Sequence, residues 1–212
     1  MQLIVGCSGK AGSGKGVFAS VARDALGAQI ISFASGVKEE VATFLGMCGV
    51  AYEPRHLYGS QEDKEELLFI FKDSYPEYFI DFIRKVAKRS GQGYSFPARG
   101  LLQWHGTEFR RSQDENYWVK LAFAKMKDLN KLYVIDDCRF SSEAYAIQQR
   151  QGVLVRVKRT GGPIISNTQH PSETGLDYWD LWDYVIKNDS DLLSYRAACL
   201  NVLRHIVGYD GE

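Results

Sequence analysis

Gln2-Leu3-Ile4-Val5-Gly6 is a short apolar run, and Gly9-Lys10-Ala11-Gly12-Ser13-Gly14-Lys15 follows it closely. The first stretch has the composition of a buried strand. The second is a glycine-rich turn, and the residues from Lys15 to Leu26 read as a helix. Strand, glycine-rich turn and helix in that order make a cradle for phosphate. Phosphate oxygens need several convergent N–H donors, glycines let the backbone curl around them without a Cβ clash, and the helix N-terminus adds positive potential. The turn matches GxxxxGK. Lys15 falls in the first helical turn, where a cation opposes the helix dipole, so a purely structural turn has no use for it there. It is expected to reach the β- and γ-phosphates of a nucleotide held by residues 9–16. Ser13 lies inside the loop as a small turn residue or a phosphate contact. An overlapping dinucleotide pattern, Gly14 to Ala19, fails. It starts eight residues beyond Gly6, and the next strand ends in Ser32-Phe33 without the acid that binds ribose.

Outward from that turn, strands and helices alternate. Residues 30–33, 132–135, 153–157 and 184–186 read as further strands. Residues 37–45, 76–89, 97–110, 114–128 and 141–150 read as helices, and a last helix runs from a cap at Asp189 or Ser190 to about His205. Five apolar strands separated by helices predict an α/β fold with a mainly parallel five-stranded sheet. The block at about 37–128 is too long for one crossover and is expected to form a helical subdomain over the strand tips. Residues 160–180, rich in Gly, Pro, Ser, Thr and Asn, are expected to be a loop that closes over the site.

Composition narrows the classes. The chain has 212 residues, 26 basic and 26 acidic side chains and a net charge of zero. That is one domain's length, and the neutral balance argues against bulk nucleic-acid binding. No uncharged stretch approaches the roughly 18 residues of a membrane span, and the N-terminus lacks a secretory pattern, so a cytoplasmic location is expected. Cys7, Cys48, Cys138 and Cys199 are scattered, which predicts reduced thiols rather than a disulfide or zinc framework.

Two more clusters carry chemistry. Val134-Ile135-Asp136-Asp137-Cys138-Arg139 puts two carboxylates and an arginine at the C-terminal end of a strand, the edge where open α/β sheets bind ligands. Asp137 can hold Mg²⁺ through water or orient an attacking oxygen, and Arg139 can neutralise a transferring phosphoryl group; one Asp can also simply cap the helix that follows. Arg99, Gln103 and Arg110 lie four and seven residues apart, near one helical face. Arginine forks suit a monophosphate, Gln suits a base edge, and the neighbouring aromatic residues suit stacking. An amphipathic helix with a solvated basic side is the alternative reading. Gly16-Val17 after Lys15 supplies no hydroxyl for Mg²⁺, so the metal is expected to rest on water, ATP oxygens or a distant acid.

With these clusters in hand, the chain resembles the phage-type deoxynucleoside monophosphate kinases, a branch of the P-loop nucleoside monophosphate kinases. The resemblance is carried by the phosphate loop and by Arg99, Leu102-Gln103, Gly106-Thr107 and Arg111 with Tyr117-Trp118-Val119-Lys120. Asp137-Cys138-Arg139 with Glu143, the segment His170-Pro171-Ser172-Glu173-Thr174-Gly175-Leu176, and the last strand from Asp183 to Asn188 complete it. Family members often carry Asp-Thr where this chain has Gly16-Val17, and a proline where it has Asp136. The resemblance implies a three-layer P-loop NTPase fold with a helical acceptor-binding insertion. It implies transfer of the ATP γ-phosphoryl group, with Mg²⁺, to a deoxynucleoside 5′-monophosphate. Lys15, Asp137 and Arg139 would act on the phosphates, and Arg159 and Asn188 would join residues 9–16 in holding ATP. Lys38, Arg99, Gln103, Thr107, Arg111, Trp118, Glu143, His170 and Glu173 would face the acceptor, with Gln103 and Trp118 at the base. The implied partners are small nucleotides, and the location would be the host cytoplasm for a phage-encoded chain. A homodimer is the commonest closed assembly. Another small-molecule P-loop kinase, of the dephospho-coenzyme A or phosphomevalonate kinase type, and a non-catalytic ATP-binding module are the alternative readings.

Overall fold

The computed structural model of the chain describes residues 2–71, 75–160 and 170–208. Its elements run β1 (Leu3–Ser8), α1 (Lys15–Leu26), β2 (Gln29–Ile31), α2 (Phe33–Met47), α3 (Pro54–Tyr58), α4 (Gln61–Glu65), β3 (Leu67–Phe71), α5 (Ile80–Lys85), β4 (Lys88–Ser90) and β5 (Gly93–Pro97). They continue with α6 (Ala98–Gln103), a π-helical stretch Trp104–Arg111, α7 (Tyr117–Ala124), β6 (Leu132–Ile135), α8 (Ser141–Gln148), β7 (Val153–Lys158), α9 (Pro171–Thr174), β8 (Tyr184–Lys187) and α10 (Leu192–Ile206). The chain divides into two compact units, one of Met1–Phe33 with Val119–Glu212 and one of Ala34–Trp118.

The first unit holds the expected five-stranded sheet, in the order β2-β6-β1-β7-β8, with every pair parallel. Parallel strands covered on both faces read as continuous apolar runs, and β1 is buried along nearly its whole length. On one face Phe18, Val21 and Ala22 of α1 and Tyr195, Cys199 and Leu203 of α10 pack on Val5, Cys7, Val134, Val155 and Val157. On the other, α8 sits so close that a Cβ on Gly6 would lie 2.5 Å from Ile147 Cδ1. The phosphate loop leaves the central strand, and its neighbours β6 and β7 deliver Asp136–Arg139 and Arg159 beside it. All four cysteines are buried free thiols.

The second unit adds strands to the expected helical block. It contains an antiparallel sheet in the order β3-β5-β4. Residues 76–89 are helical only over a 3₁₀ turn, Glu77–Phe79, and α5, and residues 88–97 form a hairpin that turns at Gly91, whose φ of 57° suits glycine. Phe79, Phe82, Phe96 and Trp104 make the unit's aromatic core, with ring centroids 4.5–6.3 Å apart. Residues 161–169, the first part of the expected closing loop, lie outside the described residues. No described helix is long and apolar enough to cross a membrane.

Candidate functional site

The loop between β1 and α1 is shaped by its glycines. Gly14, at φ 109° and ψ 12°, is the N-cap of α1 in a left-handed conformation. Its carbonyl accepts from Val17 and Phe18 N–H and from the Tyr195 hydroxyl at 3.0 Å. Gly9 is required by space, since a Cβ there would lie 2.4 Å from Ser13 Oγ and 2.5 Å from the Val157 carbonyl. Lys15 arches back over the loop and donates to the Gly9 carbonyl at 2.7 Å and the Lys10 carbonyl at 2.9 Å. Asn188 Nδ2 donates to the Ser13 carbonyl at 2.8 Å and Arg159 to the Gly12 carbonyl at 3.4 Å. Both residues therefore reach the loop. The Ser13 hydroxyl is buried without a partner among the described residues.

Around the loop stand the charges that phosphate chemistry needs. Burial lowers the pKa of Lys15, and the nearby Arg139 guanidinium lowers it further, against the opposing charges of Glu173 and Asp137. Arg139 donates to the Glu173 carboxylate and, at 3.1 Å, to the Ser172 carbonyl. Lys10 donates to the Glu173 carbonyl at 2.6 Å and to the Asp177 carboxylate. The segment 170–177 is thus strapped across Lys10 and Arg139, with His170 capping α9 through its Nδ1, which accepts from Ser172 N–H at 3.2 Å.

Two expected contacts have structural tasks. Asp137 accepts from Ser32 Oγ at 2.6 Å and from Phe33 N–H at 2.8 Å, so it anchors the start of α2 beside the loop. Glu143, 2 % exposed, accepts from the backbone N–H of Arg139 at 2.7 Å and of Phe140 at 3.1 Å. It caps α8 and holds the strand end that presents Arg139, rather than facing an acceptor.

In the second unit, the π-helical stretch overturns the shared-face argument for Arg99, Gln103 and Arg110. Its i→i+5 repeat breaks the α spacing after Gln103, so seven further residues no longer complete two turns. Arg110 instead joins a cluster on Glu40. Glu40 accepts from Arg110 Nε at 2.7 Å and the Tyr117 hydroxyl at 2.5 Å, and His105 Nε2 lies 2.8 Å away. Burial pushes the Glu40 carboxyl up, but Tyr117, His105 and Arg110 outweigh it and hold it below its ordinary value. Burial likewise lowers the pKa of His105 despite Glu40. Trp118 is 2 % exposed and donates Nε1–H to the Gly106 carbonyl at 2.8 Å. That corrects the expected base contact, because the ring is a core side chain. Arg99 makes a close ion pair with Glu65, off the axis of a hydrogen bond. Arg111 donates to the Glu115 carbonyl at 3.0 Å, Lys38 lies over the Tyr58 ring, and Gln103 and Thr107 are half-buried.

Sequence reasoning missed Glu40, Asp177 and Tyr195, and it read Asp189 or Ser190 as the cap of the last helix, which is Asp191. Asp189 accepts from Thr160 N–H at 2.6 Å, tying the ends of β7 and β8 together behind the loop. The partners of these residues lie 29 to 181 positions away, and no local spacing announces them.

The residues fit the groups that a phosphotransfer site requires. The glycine cradle, the orphaned Ser13 hydroxyl and Lys15 suit a polyphosphate. No hydroxyl follows Lys15, and among the described residues no group of three or more His, Cys, Asp or Glu side chains could hold a metal ion, so a divalent cation there would rest on one or two carboxylates, water and the phosphate oxygens. Dephospho-CoA kinase from Campylobacter jejuni matches with a TM-score of 0.50 at 16% identity, over 100% of both chains. Shikimate kinase from Acinetobacter baumannii, in complex with shikimate, matches with a TM-score of 0.48 at 11% identity, over 100% of this chain and 97% of the other. A protein of Acanthamoeba polyphaga mimivirus carrying the provisional name deoxynucleotide monophosphate kinase is 27% identical over 213 aligned positions, 94% of this chain and 95% of that one. The likeness to the dephospho-CoA kinase structure shows a shared P-loop NTPase α/β fold. A family model described as deoxynucleotide monophosphate kinase matches residues 56–197. That match begins beyond the phosphate loop, so motif and family are independent observations. It covers about two thirds of the chain, and the protein belongs to the deoxynucleotide monophosphate kinase family, a family of phosphotransferases.

Proposed function

We propose that the protein transfers the γ-phosphoryl group of ATP to a deoxynucleoside 5′-monophosphate, releasing the diphosphate and ADP. The observation that carries this reading is the gathering of Lys15, Lys10, Arg139, Asp137 and Glu173 around one glycine cradle at the C-terminal edge of a parallel sheet. Pure nucleotide binding has no need of an arginine and carboxylates opposite the terminal phosphate.

In this reading the N–H groups of residues 9–16 and the Lys15 ammonium hold the β- and γ-phosphates in line with the acceptor. Arg159 and Asn188 steady the loop that holds them. Arg139 neutralises charge that develops on the transferring phosphoryl group, and Glu143 keeps Arg139 in place. Asp137, with Asp136 beside it, is the set that would hold Mg²⁺ through water. Bound there, the metal would supply neutralisation of the phosphate oxygens. Phosphoryl transfer needs little covalent help, so positioning and charge are the enzyme's contribution. On the acceptor side, Arg99 and Arg111 are assigned to the monophosphate and Gln103 to the base, with Lys38, Thr107, His170 and Glu173 in support.

The test is ADP release from ATP·Mg²⁺ with each common dNMP and NMP, for the wild type and Lys15→Ala. Turnover that needs a dNMP and falls by at least about 10²-fold in the variant is expected. ATP binding without acceptor-dependent ADP release refutes the proposal.

A further inference from the structure

Two consecutive carbonyls of the phosphate loop are held from outside it. Asn188 Nδ2 donates to the Ser13 carbonyl at 2.8 Å, and the Tyr195 hydroxyl donates to the Gly14 carbonyl at 3.0 Å. Both anchors come from one short piece of chain. Asn188 follows β8 directly, and Asp191 then caps α10 by accepting from Leu193 N–H at 2.9 Å and Ser194 N–H at 3.0 Å. That cap fixes the first turn of α10 and with it Tyr195, whose own N–H donates to the Asp191 carbonyl at 3.0 Å.

In a planar trans peptide the C=O and the N–H point in opposite directions. Drawing the Ser13 carbonyl to Asn188 therefore aims Gly14 N–H away from Asn188, and drawing the Gly14 carbonyl to Tyr195 aims Lys15 N–H away from Tyr195. No described backbone carbonyl accepts from either N–H. They are two of the convergent donors that a phosphate cradle needs. The hydroxyl is not required to satisfy the Gly14 carbonyl, which already accepts from Val17 N–H at 3.0 Å and Phe18 N–H at 3.2 Å. What it adds is direction. Tyr195 is 1 % exposed and packed in the core with Cys7, Phe18 and Val157, so its ring is fixed.

We propose that Tyr195 is a positioning residue for the polyphosphate of the nucleotide: from α10 its hydroxyl sets the angle of the peptide between Gly14 and Lys15 and so aims the Lys15 N–H. The inference rests on the reading of residues 9–16 as the ATP cradle. It gives the last helix, which carries no residue that the sequence assigns to the site, a share in nucleotide affinity. The hydroxyl acts through the loop and touches no substrate atom, so its loss is felt as a misdirected donor rather than as a missing contact.

Calorimetric titration of the full chain with ATP in EDTA is the test, beside thermal melting. Tyr195→Phe keeps the ring and removes only the hydroxyl. It is expected to weaken ATP binding about fivefold, the equivalent of one hydrogen bond's net worth, while the melting temperature falls by no more than about 4 °C. In turnover the KM for ATP should rise and the KM for the acceptor should stay unchanged. Leu203→Ala, two turns further along α10 in the same core, should lower the melting temperature more and leave ATP affinity within about twofold of the wild type. An affinity of Tyr195→Phe within about twofold of the wild type overturns the proposal, and so does an equal loss in Leu203→Ala, which is general loosening. A wild type that does not bind ATP overturns the reading of the cradle together with this one, so the first titration tells the two failures apart.

Discussion

Gly14 and Gly16 stand two residues apart in the phosphate-binding turn, and replacing each by alanine should have opposite effects. At Gly14 the backbone is left-handed, which costs an L-residue about 1–2 kcal/mol. The new Cβ would also lie 2.5 Å from Asn188 Nδ2 and 2.9 Å from the Tyr195 ring, and Tyr195 is fully buried. Relieving that collision costs about 1–3 kcal/mol in a packed site. Moving Asn188 breaks its bond to the Ser13 carbonyl, worth about 1 kcal/mol. Gly14→Ala is therefore expected to lose about 3–6 kcal/mol, a fall in melting temperature of about 10 °C or more for a domain of this size. At Gly16 a Cβ meets nothing within 4 Å, and the residue is already helical. Gly16→Ala should be neutral or gain about 0.5 kcal/mol. Scanning calorimetry of the two variants beside the wild type is the assay. Equal shifts, or a loss under about 1 kcal/mol in Gly14→Ala, would refute the account of the loop's shape.

Glu143→Ala should cost about 2 kcal/mol, because two backbone N–H groups lose their acceptor, and should lower kcat by loosening Arg139. Glu143→Gln, which keeps a carbonyl acceptor, should recover part of both, read by urea titration and steady-state rates. The Glu40 cluster makes stability depend on pH with a fixed sign. His105 titrates below its ordinary 6.5 when folded and Glu40 below its ordinary 4.5, so the unfolded chain binds more protons in both windows. Stability should fall as pH drops below 6.5 and again below 4.5, and His105→Asn should flatten the upper window when urea midpoints are compared. Glu40→Ala should destabilise by about 2–4 kcal/mol, since Arg110, Tyr117 and His105 lose a shared partner. A change within about 0.5 kcal/mol in equilibrium unfolding contradicts that.

The first unit was the legible one. Its strands are buried on both faces and announce themselves as apolar runs, and the glycine turn compresses a whole binding geometry into seven neighbouring residues. The second unit depends on non-local facts. Leu67 to Phe71 is a run of five apolar residues behind a charged stretch, and only its pairing with residues 93–97 makes it a strand. Lys88-Arg89-Ser90 is polar throughout and becomes a strand because of the turn at Gly91. The π-helical stretch shifts Arg110 off the face that α spacing gives it, and no local composition marks that change. Trp118 shows the opposite hazard, since an aromatic residue in a motif invites a stacking role while its surroundings make it core.

The strap from His170 to Asp177 has a kinetic consequence. Lys10 and Arg139 hold internal anions, the carboxylates of Asp177 and Glu173. Under the proposed function, a phosphate that takes either cation must evict an internal competitor, and its association would be an exchange. The same competitor stands ready to retake the cations when the product leaves. The exchange would then weaken the hold on a charged product and hasten its departure.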